Sequence, residues 1–200
     1  MNSEPVSGIG EIDRALFRQS AMAVARALLG LYLVHETPAG RTVGRIVETE
    51  AYCEDDPAAH TYKGMTEHNK AMFGPAGHAY IYQIHGHHCI NCTAGPDGYG
   101  AGSLLRALEP IDGIDLMSAR RGIENERALC SGPGKLTRAM GITMEQYGLD
   151  LLDAGSLLRL ERPQTAEVFE IVQTRRIGIS RAKNLEWRFY IKGNPHVSRK

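Results

Sequence analysis

No stretch of this chain stays apolar for long. Apolar stretches such as those around residues 21–25 and 90–92 are interrupted by Arg, His or Asn, well short of the roughly 20 residues a membrane span needs. The opening MNSEPVSGIGE lacks the basic-then-apolar pattern of a secretory signal, so a cytoplasmic protein with no membrane partner is expected. Net charge is missing too. The 23 basic residues balance 23 acidic ones, and the whole chain has none of the Lys and Arg excess of a dedicated nucleic-acid binder. Cysteine is scarce, at four in 200 residues. Without a secretory signal these read as reduced thiols or a metal site rather than a disulfide framework. No biased tract, repeat or linker breaks a composition that is 42% hydrophobic and 23% charged, which excludes disordered, collagen-like and coiled-coil chains. A chain of this length can bury roughly 70% of its extended surface as one domain. Residues 1–200 are therefore read as a single domain, with 1–11 a loosely ordered tail. Nothing signals an oligomer, so a monomer is expected.

The charge that is present is segregated. Residues 174–200 carry Arg175, Arg176, Arg181, Lys183, Arg188, Lys192, Arg199 and Lys200 against Glu186 alone, whereas residues 48–56 hold five acids and no base. The basic end suits a polyanion through counterion release. The acidic stretch suits either a chemical centre or a solvated face.

Hydrophobic spacing at Ala21, Val24, Ala25 and Leu28 predicts a helix over 13–29, stopped by Gly30. Two β-type runs, 31–35 and 42–50, are joined by Thr-Pro-Ala-Gly and read as a hairpin. Strand alternation puts Ile46, Glu48 and Glu50 on one face, opposite Val47 and Thr49. Residues 53–77 are polar and broken by Pro and Gly, the pattern of a long functional loop. Strands are expected at 78–84 and 88–93 around a short turn, then at 103–108 after a further turn. Helical patterns follow at 111–121 and 129–140, and short strands at 157–160, 177–180 and 188–191. The fold class expected is mixed α/β: a curved, largely antiparallel sheet, surrounding helices and a protruding β-hairpin.

Four constellations carry candidate chemistry. Glu50 and Glu48 sit where a strand meets an irregular loop, and either could orient a water as general base or be an ordinary strand acid. Cys89 and Cys92 beside His85, His87 and His88 suggest zinc, or else a hairpin with buried thiols; three positions apart on a strand, the two sulfurs point to opposite faces. Ser131-Gly132-Pro133-Gly134-Lys135 is either a phosphate cradle at a helix start or a plain helix cap. Tyr52, Tyr62, Tyr80, Tyr82 and His60 form either a core stripe or a stacking platform for a base.

Read together, GRIVETEAY (44–52), DPAAH (56–60), NKAMFGPAGHAYIY (69–82), CIN (89–91), LLRALEP (104–110), CSGPGKL (130–136) and RFYIKGNPHVS (188–198) resemble, in order, the 3-methyladenine DNA glycosylases of the alkyladenine glycosylase family. The resemblance runs from about residue 16 to 198. It implies an enzyme that excises alkylated or deaminated purines from double-stranded DNA without metal or cofactor, after flipping the nucleotide into a pocket. By position, Glu50 matches the general base. Arg106 matches a residue positioning the attacking water and a nearby phosphate, and the Ile177 carbonyl matches a further water ligand. Tyr52, His60 and Tyr82 would enclose the base, with hydrogen bonds from the His60 region and the Ala58 backbone. Asn91 would exclude guanine by crowding its 2-amino group. Lys135, Ser131, the basic C-terminal segment and the loop bearing Lys63, His68, Asn69 and Lys70 would contact DNA. The hairpin departs from the family: His85-Gly86 stands where a Tyr-Gly wedge is usual, one residue short, with Ile84 and His87 as neighbours able to substitute. That departure keeps a second class open, a damaged-DNA binding module without catalysis.

Overall fold

The computed structural model describes residues 12–165 and 167–199; the expected tail at 1–11 and Lys200 lie outside them. One antiparallel sheet organises the chain. Its strands are β1 (Tyr32–Thr37), β2 (Gly40–Tyr52), β3 (Ala79–Ile84), β4 (His87–Thr93), β5 (Gly102–Asp112), β6 (Leu158–Glu161), β7 (Ile171–Thr174) and β8 (Arg188–Ile191). They run β3-β4-β5-β2-β1-β6, with β8 pairing both β2 and β7. The thirteen-residue β2 is the spine: one edge carries β5, and the other carries β1 at its start and β8 at residues 48–50. Register irregularities between Ile46 and Thr49 leave Val47 and Arg106 without a cross-strand partner in the β2–β5 ladder. Such bulges bend a strand and raise its twist, so the sheet curls here into a half-barrel.

Among the described residues four α-helices, α1 (Ala21–Leu28), α2 (Ile114–Arg121), α3 (Glu126–Leu129) and α4 (Pro133–Met140), accompany the sheet. Thr49 and Ser103 donate to the carbonyls of Ala25 and Ala21 at 2.7 and 3.0 Å, pinning α1 to β2 and β5. Thr137 of α4 donates to the His88 carbonyl at 2.8 Å, fixing α4 on β4. Phe17, Leu28, Ile46, Ile81, Ile90, Leu105 and Leu136 fill the space between without exposure to solvent.

Several expected elements differ in extent. The helix expected over 13–29 is a 3-10 turn at Arg14–Leu16 followed by α1, because Asp13 and Ser20 each accept an amide (Ala15 at 2.8 Å, Ala23 at 3.3 Å) and start separate segments. The helix expected from 111 begins at Ile114, since β5 runs to Asp112. Residues 177–180 form bends rather than a strand; the strand lies earlier, at β7. α4 starts with Pro133 behind Gly132, and no side chain caps it, so Ser131 is not its N-cap.

The protruding hairpin is β3–β4. Ile84 pairs with His87, and His85 and Gly86 between them have φ of 49° and 78°. Two consecutive positive φ values make the two-residue turn whose twist matches the strands, and residues 83–87 are exposed.

Candidate active site

Where β2 ends, a cavity of about 620 Å³ opens between that strand, the 57–60 loop, β3–β5, the start of α4 and residues 177–181. This volume lies in the range of roughly 300–1,000 Å³ typical of small-ligand sites. Tyr52, His60, Tyr80, Tyr82, Asn91, Arg106 and Ile177 all line it, so the fold gathers residues spread over more than half the chain.

The aromatic residues divide the work. The rings of His60 and Tyr82 are 4.4 Å apart at 73°. Aromatic contact needs about 3.5 Å on each face, so nothing enters between these two, and they form one wall. His60 is steered by Tyr80, whose hydroxyl is 2.8 Å from Nδ1. Burial pushes the hydroxyls of Tyr52 and Tyr82 well above the ordinary tyrosine range, so both stay protonated.

Glu50 has no solvent exposure and is bound to three residues that line this cavity. Its Oε2 accepts the Tyr52 hydroxyl at 2.9 Å and Arg106 Nη1 at 3.2 Å; its Oε1 accepts the Ile177 backbone N–H at 2.7 Å. A carboxylate offers about four acceptor positions. Among the described residues three are taken, which leaves one on Oε1. Burial raises the pKa of Glu50, outweighing the opposing pull of Arg106, the Ile177 amide and the Tyr52 hydroxyl. A carboxyl perturbed by burial and bound to the residues that line a cleft has the character of a catalytic acid or base.

The two carboxylates on this strand part company. Glu48 is also fully buried, but it accepts Arg106 Nε at 3.0 Å, Arg188 Nε at 2.7 Å, and the Ser198 amide and hydroxyl at 2.6 and 2.9 Å. Neither carboxylate lines the cavity itself, but all three partners of Glu50 do, whereas of the residues bound to Glu48 only Arg106 does. Glu48 is an anchor that ties the C-terminal segment to the sheet and orients Arg106 toward Glu50.

Other expected residues fall in different places. Asn91 is buried at the cavity wall, its amide 3.4 Å from the Tyr80 carbonyl. Ile177 lines the cavity and meets Glu50 through its N–H, a contact in addition to the carbonyl contact to water that was expected of it. Ala58 lines the cavity, but its N–H already donates to Asp56 Oδ1 at 3.0 Å and is not free for a base. Asn69, expected at DNA, is buried. Its amide donates to the carbonyls of His60 and Gly64 at 3.0 Å each, and its oxygen accepts the Thr66 N–H at 2.6 Å, so it shapes the His60 loop instead. The basic C-terminal segment is not one surface: Arg176, Arg188 and Lys192 pair with Asp56, Glu48 and Glu170. Lys135 and His85 are exposed, and Ser131 is half-buried. His87 abuts α4, since a Cβ added to Gly134 would sit 2.9 Å from His87 Cβ. Cys89 faces the cavity while Cys92 lies in the core. Among the described residues no three His, Cys, Asp or Glu side chains are grouped to hold a metal, and no helix is long and apolar enough to cross a membrane. Tyr80 was legible only as a member of the aromatic stripe and Arg176 only as one of the C-terminal cations; the contacts of Tyr80 with His60 and of Arg176 with Asp56 arise only in the fold.

Fold, cavity and buried carboxylate, taken with the similarities that follow, define a DNA glycosylase, a hydrolase of the bond joining a base to its sugar. Residues 15–195 match the family described as methylpurine-DNA glycosylase (MPG), and the chain belongs to that family. It is 50% identical over 191 residues to a protein of Methanoculleus marisnigri, covering 94% of this chain and 99% of that one. Identity is 44% over 190 residues to a protein of Carboxydothermus hydrogenoformans, covering 94% and 99%. A protein of Agrobacterium fabrum is 48% identical over 191 residues, covering 95% and 93%. All three bear the name "Putative 3-methyladenine DNA glycosylase".

Proposed function

We propose that the chain is a monofunctional glycosylase that flips alkylated or deaminated purines (3-methyladenine, 7-methylguanine, hypoxanthine, ethenoadenine) out of duplex DNA and hydrolyses them from the sugar, leaving an abasic site. The observation that carries this reading is the buried Glu50 carboxylate, held by three residues that line an aromatic cavity and with one acceptor position on Oε1 unfilled among the described residues.

A water held at that position attacks C1′ as the sugar develops oxocarbenium character. The new C–O bond forms as the C1′–N bond breaks, and Glu50 takes the water's proton. A cationic purine departs as a neutral base and needs no acid. Neutral hypoxanthine needs a proton or hydrogen bond, which falls to the His60 side of the cavity. Tyr52 faces the base from one side and the His60–Tyr82 wall from the other, and tyrosine faces favour cationic lesions further. Asn91 crowds the 2-amino group of guanine. Arg106, oriented by Glu48, holds the water and the adjacent phosphate, while Lys135 at the start of α4 and the His85 tip meet the DNA backbone and the gap left by the flipped nucleotide.

The test is a panel of duplexes, each with one of these lesions, incubated with excess protein and then cleaved at abasic sites. Release of at least one lesion is expected. Release of none overturns the reading, and tight lesion binding without release favours the non-catalytic module.

A further inference from the structure

Behind Tyr52, away from the cavity, lies a buried cation that the reaction above does not use. The Arg176 side chain has no exposure. Its Nη1 donates to the Ala51 carbonyl at 3.0 Å and to Asp56 Oδ2. Its Cζ lies 4.6 Å from the Tyr52 ring centroid and 5.1 Å from that of Trp187. Among the described residues Nε and Nη2 have no hydrogen-bond partner.

We propose that Arg176 is a positioning residue that sets the spacing between Tyr52 and the loop of residues 56–60, and with it the width of the slot a purine enters; this rests on the glycosylase reading. Two walls meet at this side chain. Through Ala51 and the Tyr52 ring it holds the end of β2. Through Asp56, whose other oxygen accepts the Ala58 N–H, it holds the loop that presents His60. Stability alone explains the arrangement poorly. Buried ion pairs gain little over apolar packing of the same volume, and the unpaired N–H groups on Nε and Nη2 carry a desolvation cost. A flat guanidinium, unlike an ammonium, can lie against two rings while its edge holds a carbonyl and a carboxylate. That is a spacer's requirement.

The test compares Arg176→Met and Arg176→Lys with the parent chain. Arg176→Met is expected to raise the half-saturating concentration in single-turnover release about tenfold or more, since small misplacements near a reacting group are expensive. Binding to undamaged duplex and the rate at saturation should change far less. Arg176→Lys, which keeps the charge facing Asp56, is expected to melt close to the parent yet share the raised half-saturation. Emission from Trp187, the chain's one tryptophan, should shift in both variants. The proposal is overturned if Arg176→Lys matches the parent in half-saturation and emission, or if the saturating rate falls as far as half-saturation rises. If Arg176→Met does not fold, the lysine variant decides. A parent chain that releases no lesion would instead sink the glycosylase reading, while Trp187 emission and lesion binding would still report on Arg176.

Discussion

The Ile177 N–H lies 2.7 Å from Glu50 Oε1, across 127 residues of sequence. The buried carboxylate is thus held by its own strand on one side and by a distant bend on the other, with its last acceptor position fixed between them. Glu50→Gln keeps the shape and removes the base. Release of 7-methylguanine under single-turnover conditions should fall roughly 10²–10⁴-fold with lesion binding retained. The variant should melt within about 4 °C of the parent, about 1 kcal/mol at this size, because the lost pairing with Arg106 is offset by relief of a buried charge. Undiminished release by this variant contradicts the role given to Glu50.

The same burial sets a pH dependence. Glu50 is held above its ordinary range, so its neutral form is favoured by the fold and whatever stability it contributes is present at low pH and lost as pH rises through the folded-state value. Activity runs the other way, because only the ionised base accepts a proton. Release of 7-methylguanine should therefore decline on acidification with a midpoint above the roughly 4.3 of a free glutamate. A profile flat down to that value excludes Glu50 as the titrating base.

Glu48, two residues away, should respond oppositely. Glu48→Ala leaves Arg106 and Arg188 buried without their shared carboxylate and strips Ser198 of its acceptor. Breaking one side of such a network costs about 3–5 kcal/mol, a fall in melting temperature on the order of 10 °C at this chain length. Thermal unfolding of Glu48→Ala beside Glu50→Gln checks the division of labour. Equal melting temperatures would show that the two acids are interchangeable.

At the hairpin tip, His85 occupies a left-handed conformation that glycine adopts without strain. His85→Gly should preserve the turn and the melting temperature while removing the ring. If that ring fills the gap left by a flipped nucleotide, lesion release should fall several-fold on duplex DNA and stay near parental on a single strand, which has no stack to hold open. An equal loss on both substrates would assign His85 a different task, leaving Ile84, which lines the cavity, as the wedge.

The sheet, its hairpin and the helical stretches could be read from alternation, turn residues and apolar spacing, because those patterns act between neighbours in sequence. Extents were less readable: Asp13 and Ser20 split one expected helix through side-chain caps that compete with helical continuation. The 177–180 segment carried a strand's composition but found no strand partner, since pairing depends on what lies beside it. Ordered blocks of residues pointed to the family, and so to Glu50, Tyr52, His60, Tyr82, Asn91 and Arg106 as a set.

Amino-acid order alone thus determined the fold class, the family and the residue types available for chemistry. Only the tertiary structure decided what each does. It turned Glu48 into an anchor, left one acceptor position of Glu50 unfilled among the described residues, buried Asn69 in a loop, engaged the Ala58 amide, and spent three of the C-terminal cations on internal carboxylates. The reason is physical: whether a polar group is available depends on the partners and the burial that long-range packing brings to it, and neither is encoded by its neighbours along the chain.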